Sequence, residues 1–347
     1  MTLNFPTSPN VNDTYTYNGT TFVWDGEKWD ASTPFLVNTA NIANDAVTPD
    51  KVAVDDYTFS AINGGPLAGM RNQIINGDFR IWQRGTTGFP GGTEAYTADR
   101  WRTKDGGRIQ RTGTAPDGFA DAIMFQAAAN ATWIRQAVEL PRAGNPGPFV
   151  TGSTWTASCW TTLAAGDIFF GNGFADGNGN LNFVELTANT AMTSTGETNN
   201  GFTRFSITFT ISAAPANTNL ALIPLFGSFS GSEGFITGCQ LEPGPVASVF
   251  EVRPIQTELA LCQRYYQTIV GALLQANRTS FTEQRNFQAP RTVTMRAAPT
   301  ETFVDVTTNG TMSGIQVYGN SGGWGAAGVP SASNTVTALD INADAEL

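Results

Sequence analysis

The chain has 347 residues, a formal net charge of −10, no histidine, and 41 % hydrophobic against 14 % charged residues. That hydrophobic share excludes global disorder. The acidic balance argues against a phosphate-backbone partner, so nucleic acid is not expected, and no run of eighteen apolar residues is present for a membrane span. Without histidine there is no Ser-His-Asp or Cys-His nucleophile and no His-ligated zinc, which leaves carboxylate pairs as the available hydrolytic chemistry.

Residues 1–34 contain "YTYNGTTFVWDGEKW", in which Asn18-Gly19 and Asp25-Gly26 interrupt aromatic and β-branched runs. This predicts a three-stranded meander, because both dipeptides tolerate positive φ. Tyr15 and Tyr17 share a face, as do Phe22 and Trp24, and Trp29 closes the set. So few short strands cannot bury five rings, so a further surface is expected to cover them. The opening "MTLNFPTSPN" lacks the basic and apolar regions of a secretion signal. In residues 35–66 the apolar side chains thin to Ile42, Val47 and Val52, a five-residue spacing that fits neither helix nor strand. A flexible linker, or a stem ordered by wrapping around other chains, is expected there.

From Leu67 the composition turns to Thr, Asn, Ser and Gly with alternating apolar residues, which favours strands and turns. "NQIINGDFRIWQRG" alternates with Ile75, Gly77, Phe79 and Ile81 on one face and Asn76, Asp78, Arg80 and Trp82 on the other. "WIRQAVEL" groups Ile134, Val138 and Leu140. "STWTASCWTTL" groups Trp155, Ala157, Cys159 and Leu163. "TRFSITFTIS" groups Phe205, Ile207, Phe209 and Ile211, and "GFITGCQLEPG" groups Phe235, Cys239 and Leu241. Short half-buried strands separated by Gly, Pro and Asn predict a mainly β protein with a jelly-roll or β-sandwich domain over 67–254. Cys159, Cys239 and Cys262 have no metal or framework spacing and are expected to be free, buried thiols.

Residues 255–347 are expected to hold one helix and a C-terminal β domain. In "RPIQTELALCQRYYQTIVG" the face Leu259, Cys262, Tyr266, Ile269 is helical, with Thr257 as cap and Gly271 as stop. The glycines from Gly310 to Gly328 predict a turn-rich region. The final "LDINADAEL" is left open between a last strand and a frayed end.

Several of these segments carry a likeness. "NFPTSP…YTYNGTTFVWDGEKW" resembles a small module near the ends of structural proteins of tailed phages, and "IANDAVTPDKVA" resembles the linker repeats of phage fibres. "NQIINGDFRIWQRG", "YTADRW", "CQLEPGPVASVFEVRPIQTELALCQRYYQT" and "TMRAAPT" together resemble a tail-fibre receptor-binding region, and the INGDF-to-QLE block is similar to carbohydrate-binding jelly rolls. The resemblance implies a homotrimeric virion protein, made in the host cytoplasm and released by lysis. Its N-terminal module would contact other tail or neck proteins through Tyr15, Tyr17, Phe22, Trp24 and Trp29, and its β domains would contact host-surface polysaccharide. It implies no catalytic activity, and no cofactor beyond a structural calcium, for which Asp78 and Glu242 are the candidate ligands.

Sugar recognition uses aromatic faces against C–H patches and planar polar groups against hydroxyls. The candidates are Trp82, Trp101, Trp160, Tyr318 and Trp324, each of which could instead be packing residues. Trp324, in "GNSGGWGAAG", is expected at an exposed loop tip or in a trimer seam. "DGNGN" (Asp176–Asn180) starts like a calcium loop but has Leu181 and Thr187 where Gly and Glu belong, so a hairpin turn is the better reading. A glycan-cleaving tailspike would need two carboxylates facing a groove; Glu94, Asp99, Asp105 and Glu185 are candidates without a diagnostic spacing. A depolymerase, or a collar or head-decoration protein that touches no host, are the alternatives.

Overall fold

The computed structural model describes residues 4–31, 69–86, 94–104, 109–125, 132–176, 184–228, 233–276, 285–309, 312–330 and 335–346. The chain divides into two compact units, Met1–Phe59 and Ser60–Leu347. The break falls inside the expected stem, residues 35–66, all of which lies outside the described residues. There is no comparable break at residue 254.

In the first unit, β1 (Thr14–Tyr17), β2 (Thr20–Trp24) and β3 (Trp29–Ala31) form an antiparallel meander. Asn18 and Gly19 both take positive φ, 47° and 81°, as the first turn requires. The second turn works differently. Only Gly26 crosses to positive φ, while the Asp25 carboxylate accepts the N–H groups of Glu27 and Lys28, each at 2.8 Å. The Lys28 and Glu27 amides hold that carboxyl below its usual value. Tyr15 stands opposite Phe22 and Trp24 opposite Trp29, so these rings share one face. Phe5, which lies outside the predicted strands, completes the cluster. It stacks on Trp29 at 5.3 Å and meets Tyr15 and Phe22 edge-on at 5.5 and 5.1 Å. Even so, none of residues 4–31 is buried within this unit.

The second unit opens with β4 (Ala95–Tyr96), β5 (Arg102–Lys104), β6 (Ile109–Thr112), β7 (Ala122–Phe125), β8 (Thr132–Arg135) and β9 (Val138–Glu139). It continues with β10 (Thr154–Thr161), β11 (Ile168–Asp176), β12 (Val184–Ala191), β13 (Thr193–Asn199), β14 (Phe202–Thr210), β15 (Asn219–Ser228) and β16 (Gly234–Pro243). These strands make two antiparallel sheets, ordered β13-β14-β10-β16-β7-β6 and β12-β11-β15-β8-β5-β4, with β9 also paired to β15. One core lies between them. Trp155, Ala157, Cys159, Phe205, Phe209 and Leu241 from the first sheet meet Ile134, Val138, Phe170, Phe174, Leu222 and Phe226 from the second. This is the sandwich the alternation predicts. The three thiols are free and buried, and burial raises the pKa of each.

Two details depart from simple alternation. The core position in "GFITGC" is Ile236, not Phe235, because the pairing of β16 with β10 slips between Ser158 and Trp160 at Gly238, whose φ is +60°. An inserted residue flips every side chain on one side of it to the other face. Residues 71–84 are not a strand. Asn76 and Phe79 take φ of 56° and 55°, which folds the segment into turns and buries Asn76 and Asp78 along with Phe79 and Ile81. "DGNGN" begins at the end of β11, which pairs antiparallel with β12; residues 177–183 are outside the described set.

The chain then forms α1 (Ile255–Gln263), β17 (Tyr266–Ala276), β18 (Arg285–Pro290), β19 (Thr300–Asn309), β20 (Met312–Gly319), β21 (Gly323–Pro330) and β22 (Thr335–Asp344). They give two three-stranded sheets, β17-β22-β19 and β18-β21-β20. The helix is shorter than its predicted stripe. Pro254 occupies the cap position without a side-chain bond, so Thr257 is not the cap, and Tyr266, Ile269 and Gly271 belong to β17. The β-branched run Thr268-Ile269-Val270 suits a pleat, and β22 supplies the partner, with Ile269 opposite Ile341. The glycine-dense region consists largely of β20 and β21, and "LDINADAEL" supplies the end of β22.

An arginine–tyrosine seam joins these sheets to the sandwich. The Arg84 guanidinium lies 3.6 Å from the Tyr266 ring centroid and 4.7 Å from that of Tyr96, and Arg100 lies 3.4 Å from that of Tyr265. Arg84 also pairs with Asp344 at 3.2 Å and Arg100 with Glu346, while Tyr265 Oη donates to Glu139 at 2.9 Å.

Gly77 tests how tightly the turn segment sits on the sandwich. A methyl group there would overlap the backbone carbonyl oxygen of Cys239, whereas one at Gly113 meets nothing within 4 Å. Gly77→Ala is expected to lower stability by about 1–3 kcal/mol in denaturant melts. Gly113→Ala should leave it nearly unchanged, and equal behaviour of the two would contradict this packing.

Candidate functional site

Two of the sequence blocks that carry the resemblance, residues 72–85 and 239–268, lock together through side chains bonded to main chain. Asn72 Oδ1 accepts the N–H groups of Ile74 and Leu241 at 2.9 and 3.0 Å, and its Nδ2 donates to the Cys239 carbonyl at 3.3 Å. Glu251 accepts from Met70 N and, at 2.8 Å, from Asn72 N. Arg253 donates to the carbonyls of Asn72 and, at 3.0 Å, Ile74, and pairs with Glu258 at 3.3 Å. Glu258 in turn accepts from Asn76 N. The Asn76 side chain brackets Ile81, accepting its N–H at 3.0 Å and donating to its carbonyl at 2.9 Å. Arg80 donates to the Arg253 carbonyl at 3.0 Å and pairs with Asp78. Asn72, Asp78, Arg80, Glu251, Arg253 and Glu258 surround one spot that has no water-sized space. These side chains turn inward and offer nothing to a ligand.

The aromatic candidates fall in different places. Trp101 is fully buried: its Nε1 donates to the Asn76 carbonyl at 2.9 Å and its ring packs on Phe79 and Phe226, so it is core and not a sugar platform. Trp82 is half-buried against the same core and donates to the Phe79 carbonyl at 2.6 Å. Trp160 is half-buried on the outer face of the first sheet, opposite the Trp155 face as predicted, with Arg204 and Thr237 as cross-strand neighbours. Trp324 is not at a loop tip. It lies on β21, between β18 and β20, pairs with Ala289 and Gly319, and is 7 % exposed. Strand pairing on both sides overrides the loop character that its glycine neighbours suggest. Tyr318 pairs with Gly325 on the adjacent strand, and its side chain lies outside the described set.

The acidic candidates are engaged one by one. Glu242 is fully buried and accepts from Arg71 at 3.3 Å, from Gln240 and Ser248 N at 2.8 Å, and from Ser248 Oγ at 2.5 Å. Asp78 faces Arg80; burial raises its pKa and Arg80 opposes the shift. A hard cation needs oxygens free of positive charge and of donors, so these two residues do not fit a calcium site. Among the described residues no group of three or more Cys, Asp or Glu could hold a metal ion. Glu94 pairs with Arg135 and, at 3.3 Å, with Arg102. Asp99 is buried and accepts from the Gln83 backbone at 2.8 Å and from its side chain. Asp105 and the Glu185 side chain lie outside the described set. The described members of this set are tied up separately and do not form an acid pair.

One feature at the end of the sandwich was not singled out in the sequence. Residues 142–146 and Asn217 line an open cleft of about 580 Å3. Its walls are braced by backbone bonds. Gly144 N donates to Asn219 O at 2.9 Å, Asn145 N to Arg142 O at 3.0 Å, and Asn219 Oδ1 accepts from Ala216 N at 2.7 Å. Gly144 has φ +70°, and a Cβ there would stand 2.8 Å from Asn217 Cα, so only glycine permits this approach. Asn145 Oδ1 is used by Gly147 N at 2.9 Å, leaving its amide N–H groups toward solvent. The Arg142 side chain is exposed and makes no ion pair or hydrogen bond. In the sequence, "PRAGNPG" and "AAPANTN" read only as turn clusters, because nothing in either string shows that the two meet.

No protein-family model and no curated protein matches the chain. Among solved structures, it is similar to the enzymatically active domain of Bacteriophage CBA120 tailspike protein 4, with 12 % identity over 50 % of this chain and 21 % of that chain, at a TM-score of 0.30. It is also similar to TmCBM61 in complex with beta-1,4-galactotriose, with 15 % identity over 50 % of this chain and 99 % of that one, at a TM-score of 0.28. A third likeness is to the CBM22-1 xylan-binding domain from Paenibacillus barcinonensis Xyn10C, with 14 % identity over 46 % and 100 %, at a TM-score of 0.29. All three likenesses are partial.

The inward lock makes two predictions. Glu258→Ala strips the buried Arg253 of the nearer of its two carboxylates, leaving Glu251 at 3.6 Å, and frees the buried Asn76 N–H; it should cost about 1–3 kcal/mol in denaturant melts. A loss below 1 kcal/mol would show that the pair does not hold the blocks together. Burial raises the Asp99 pKa above the ordinary aspartate value, with the Gln83 bonds opposing. The folded chain therefore binds that proton more tightly than the unfolded chain. The resulting stability is complete below the ordinary aspartate value and is lost as pH rises through the folded-state value. Unfolding midpoints measured from acid to neutral pH should lose less for Asp99→Asn than for wild type over that window; parallel curves would contradict this.

Proposed function

We propose that the chain is a virion fibre protein of a tailed phage that recognises host-surface glycan through its β-sandwich and is held to the particle by its N-terminal module. One observation carries this reading. Two of the sequence blocks that resemble tail-fibre receptor-binding regions meet as a single lock on a jelly-roll scaffold, where Cys239 N donates to Gly77 O, 162 positions away, at 2.9 Å.

 The contact therefore closes 162 positions of chain, and sequence blocks that meet across such a span belong to one structural unit.

The first unit supports the attachment part of the reading. Tyr15, Tyr17, Phe22, Trp24 and Trp29 gather on a small sheet and none of them is buried, which suits a module completed by a partner surface. Homotrimeric assembly is part of the same proposal. A row of exposed apolar side chains at three-residue spacing, Val246 at 50 %, Val249 at 86 % and Val252 at 66 %, is the kind of surface that association would cover. Binding would be weak at each site and strengthened by repeated copies. The chain is proposed to have no catalytic role, and the paired arginines on Glu94 fit that reading.

Competition for adsorption tests the proposal. Saturating amounts of the full chain should slow attachment of the parent phage to host cells, and the chain should sediment as a trimer. Unchanged attachment removes the receptor-binding reading. New reducing ends after incubation with host polysaccharide would point to a depolymerase instead, and labelling at the neck rather than at fibre tips would point to a collar protein.

A further inference from the structure

The cleft at the end of the sandwich has a feature that sets it apart from the rest of the surface. Described cations elsewhere are held by acids or carbonyls: Arg71 by Glu242, Arg111 by Asp121, Arg204 by Glu197, Arg264 by Glu139 and Arg291 by Glu301, with Arg296 on the Ala345 carbonyl. Among cations whose side chains are described, Arg142 alone has no such partner. In a chain of net charge −10, a guanidinium left without an acid stands out. It sits beside two carboxamides, Asn145 and Asn217, on walls that are already fixed by the Gly144–Asn219 and Ala216–Asn219 bonds.

We propose that this cleft is a subsite for a carboxylate-bearing sugar residue of a surface polysaccharide, a proposal that rests on the glycan-binding reading above. A guanidinium presents two parallel N–H groups that match a carboxylate in a bidentate pair, a geometry an ammonium cannot supply. Asn217 and the free amide N–H groups of Asn145 are placed to bond ring hydroxyls, and the Pro146 ring offers a small apolar face to C–H groups. The volume of about 580 Å3 is in the range of small-molecule sites and exceeds what a single sugar ring needs, so neighbouring sugars can run out through the open side. Because the backbone is pinned before any ligand arrives, little ordering has to accompany binding.

The test uses the full chain on an array of neutral, carboxylate-bearing and sulfated oligosaccharides, with the wild type and the variants Arg142→Ala, Arg142→Lys and Asn217→Ala. The Arg142 side chain is exposed and unbonded, so its variants should unfold at the wild-type temperature, which is measured first. The wild type is expected to select carboxylate-bearing glycans. R142A should weaken that binding by about 10–100-fold, the range for a charged hydrogen-bonded pair, with R142K between the two. Raising the salt should weaken wild-type binding and leave the residual R142A binding nearly flat. Selection of neutral or only sulfated glycans, or acidic binding that survives R142A, overturns the subsite while leaving glycan recognition in place. No binding to any member of the array removes both the subsite and the glycan reading.

Discussion

The structure depends on charged and amide side chains bonded to main chain across the junction of residues 70–84 with residues 239–258. Residues 71–84 make few strand hydrogen bonds of their own, because Asn76 and Phe79 turn the backbone into the left-handed region. Buried N–H and carbonyl groups must be paired, and here Asn72, Asn76, Glu251, Arg253 and Glu258 pair them. The arrangement replaces a sheet ladder with side chains, and each of those side chains is consequently specified. Removing one leaves its partners buried and unsatisfied, which costs more than the bond itself contributes.

The same junction sets the position of everything that follows it. Glu258 lies on α1 and reaches Asn76, so the helix is anchored to the turn segment from its first turn. Tyr265 and Tyr266 come next and receive Arg100 and Arg84, whose guanidinium groups are also paired with Glu346 and Asp344 at the end of the chain. Ala345 N donates to Tyr265 O at 2.8 Å, closing the circuit. The C-terminal sheets are thereby part of the sandwich unit, and a cut at residue 254 would expose this seam. The cleft with Arg142 lies outside the circuit: no bond of the lock or of the seam uses it. The Arg142 side chain is engaged by neither.

The first unit follows a different physical regime. Five rings and Phe5 gather on three short strands, and a sheet of that size has too little depth to take any of them fully out of water. The sandwich, by contrast, buries Trp101, Trp155 and six or more phenylalanines between two large sheets. Burial in the second unit comes from within one chain, whereas the first unit leaves its aromatic face half-wet.

The sequence by itself determined the layers. Alternation in β10 and β14 named Trp155, Ala157, Cys159, Phe205 and Phe209 as core, and the Asn18-Gly19 turn fixed the N-terminal meander, because both signals are local and need no knowledge of distant chain. What only the tertiary structure decided was anything that hinges on a distant partner. Residues 71–84 alternate like a strand, yet Asn72 and Asn76 find better partners at Leu241 and Ile81. Tyr266 and Ile269 continue a helical stripe, yet β22 draws them into a sheet. Trp324 among glycines reads as a loop, yet two neighbouring strands bury it. The Arg142 cleft has no sequence signature, since its two walls lie some seventy positions apart and meet only because Gly144 lets the backbones touch. Local periodicity records which face of an element is apolar; it does not record which other element will arrive to satisfy its polar groups.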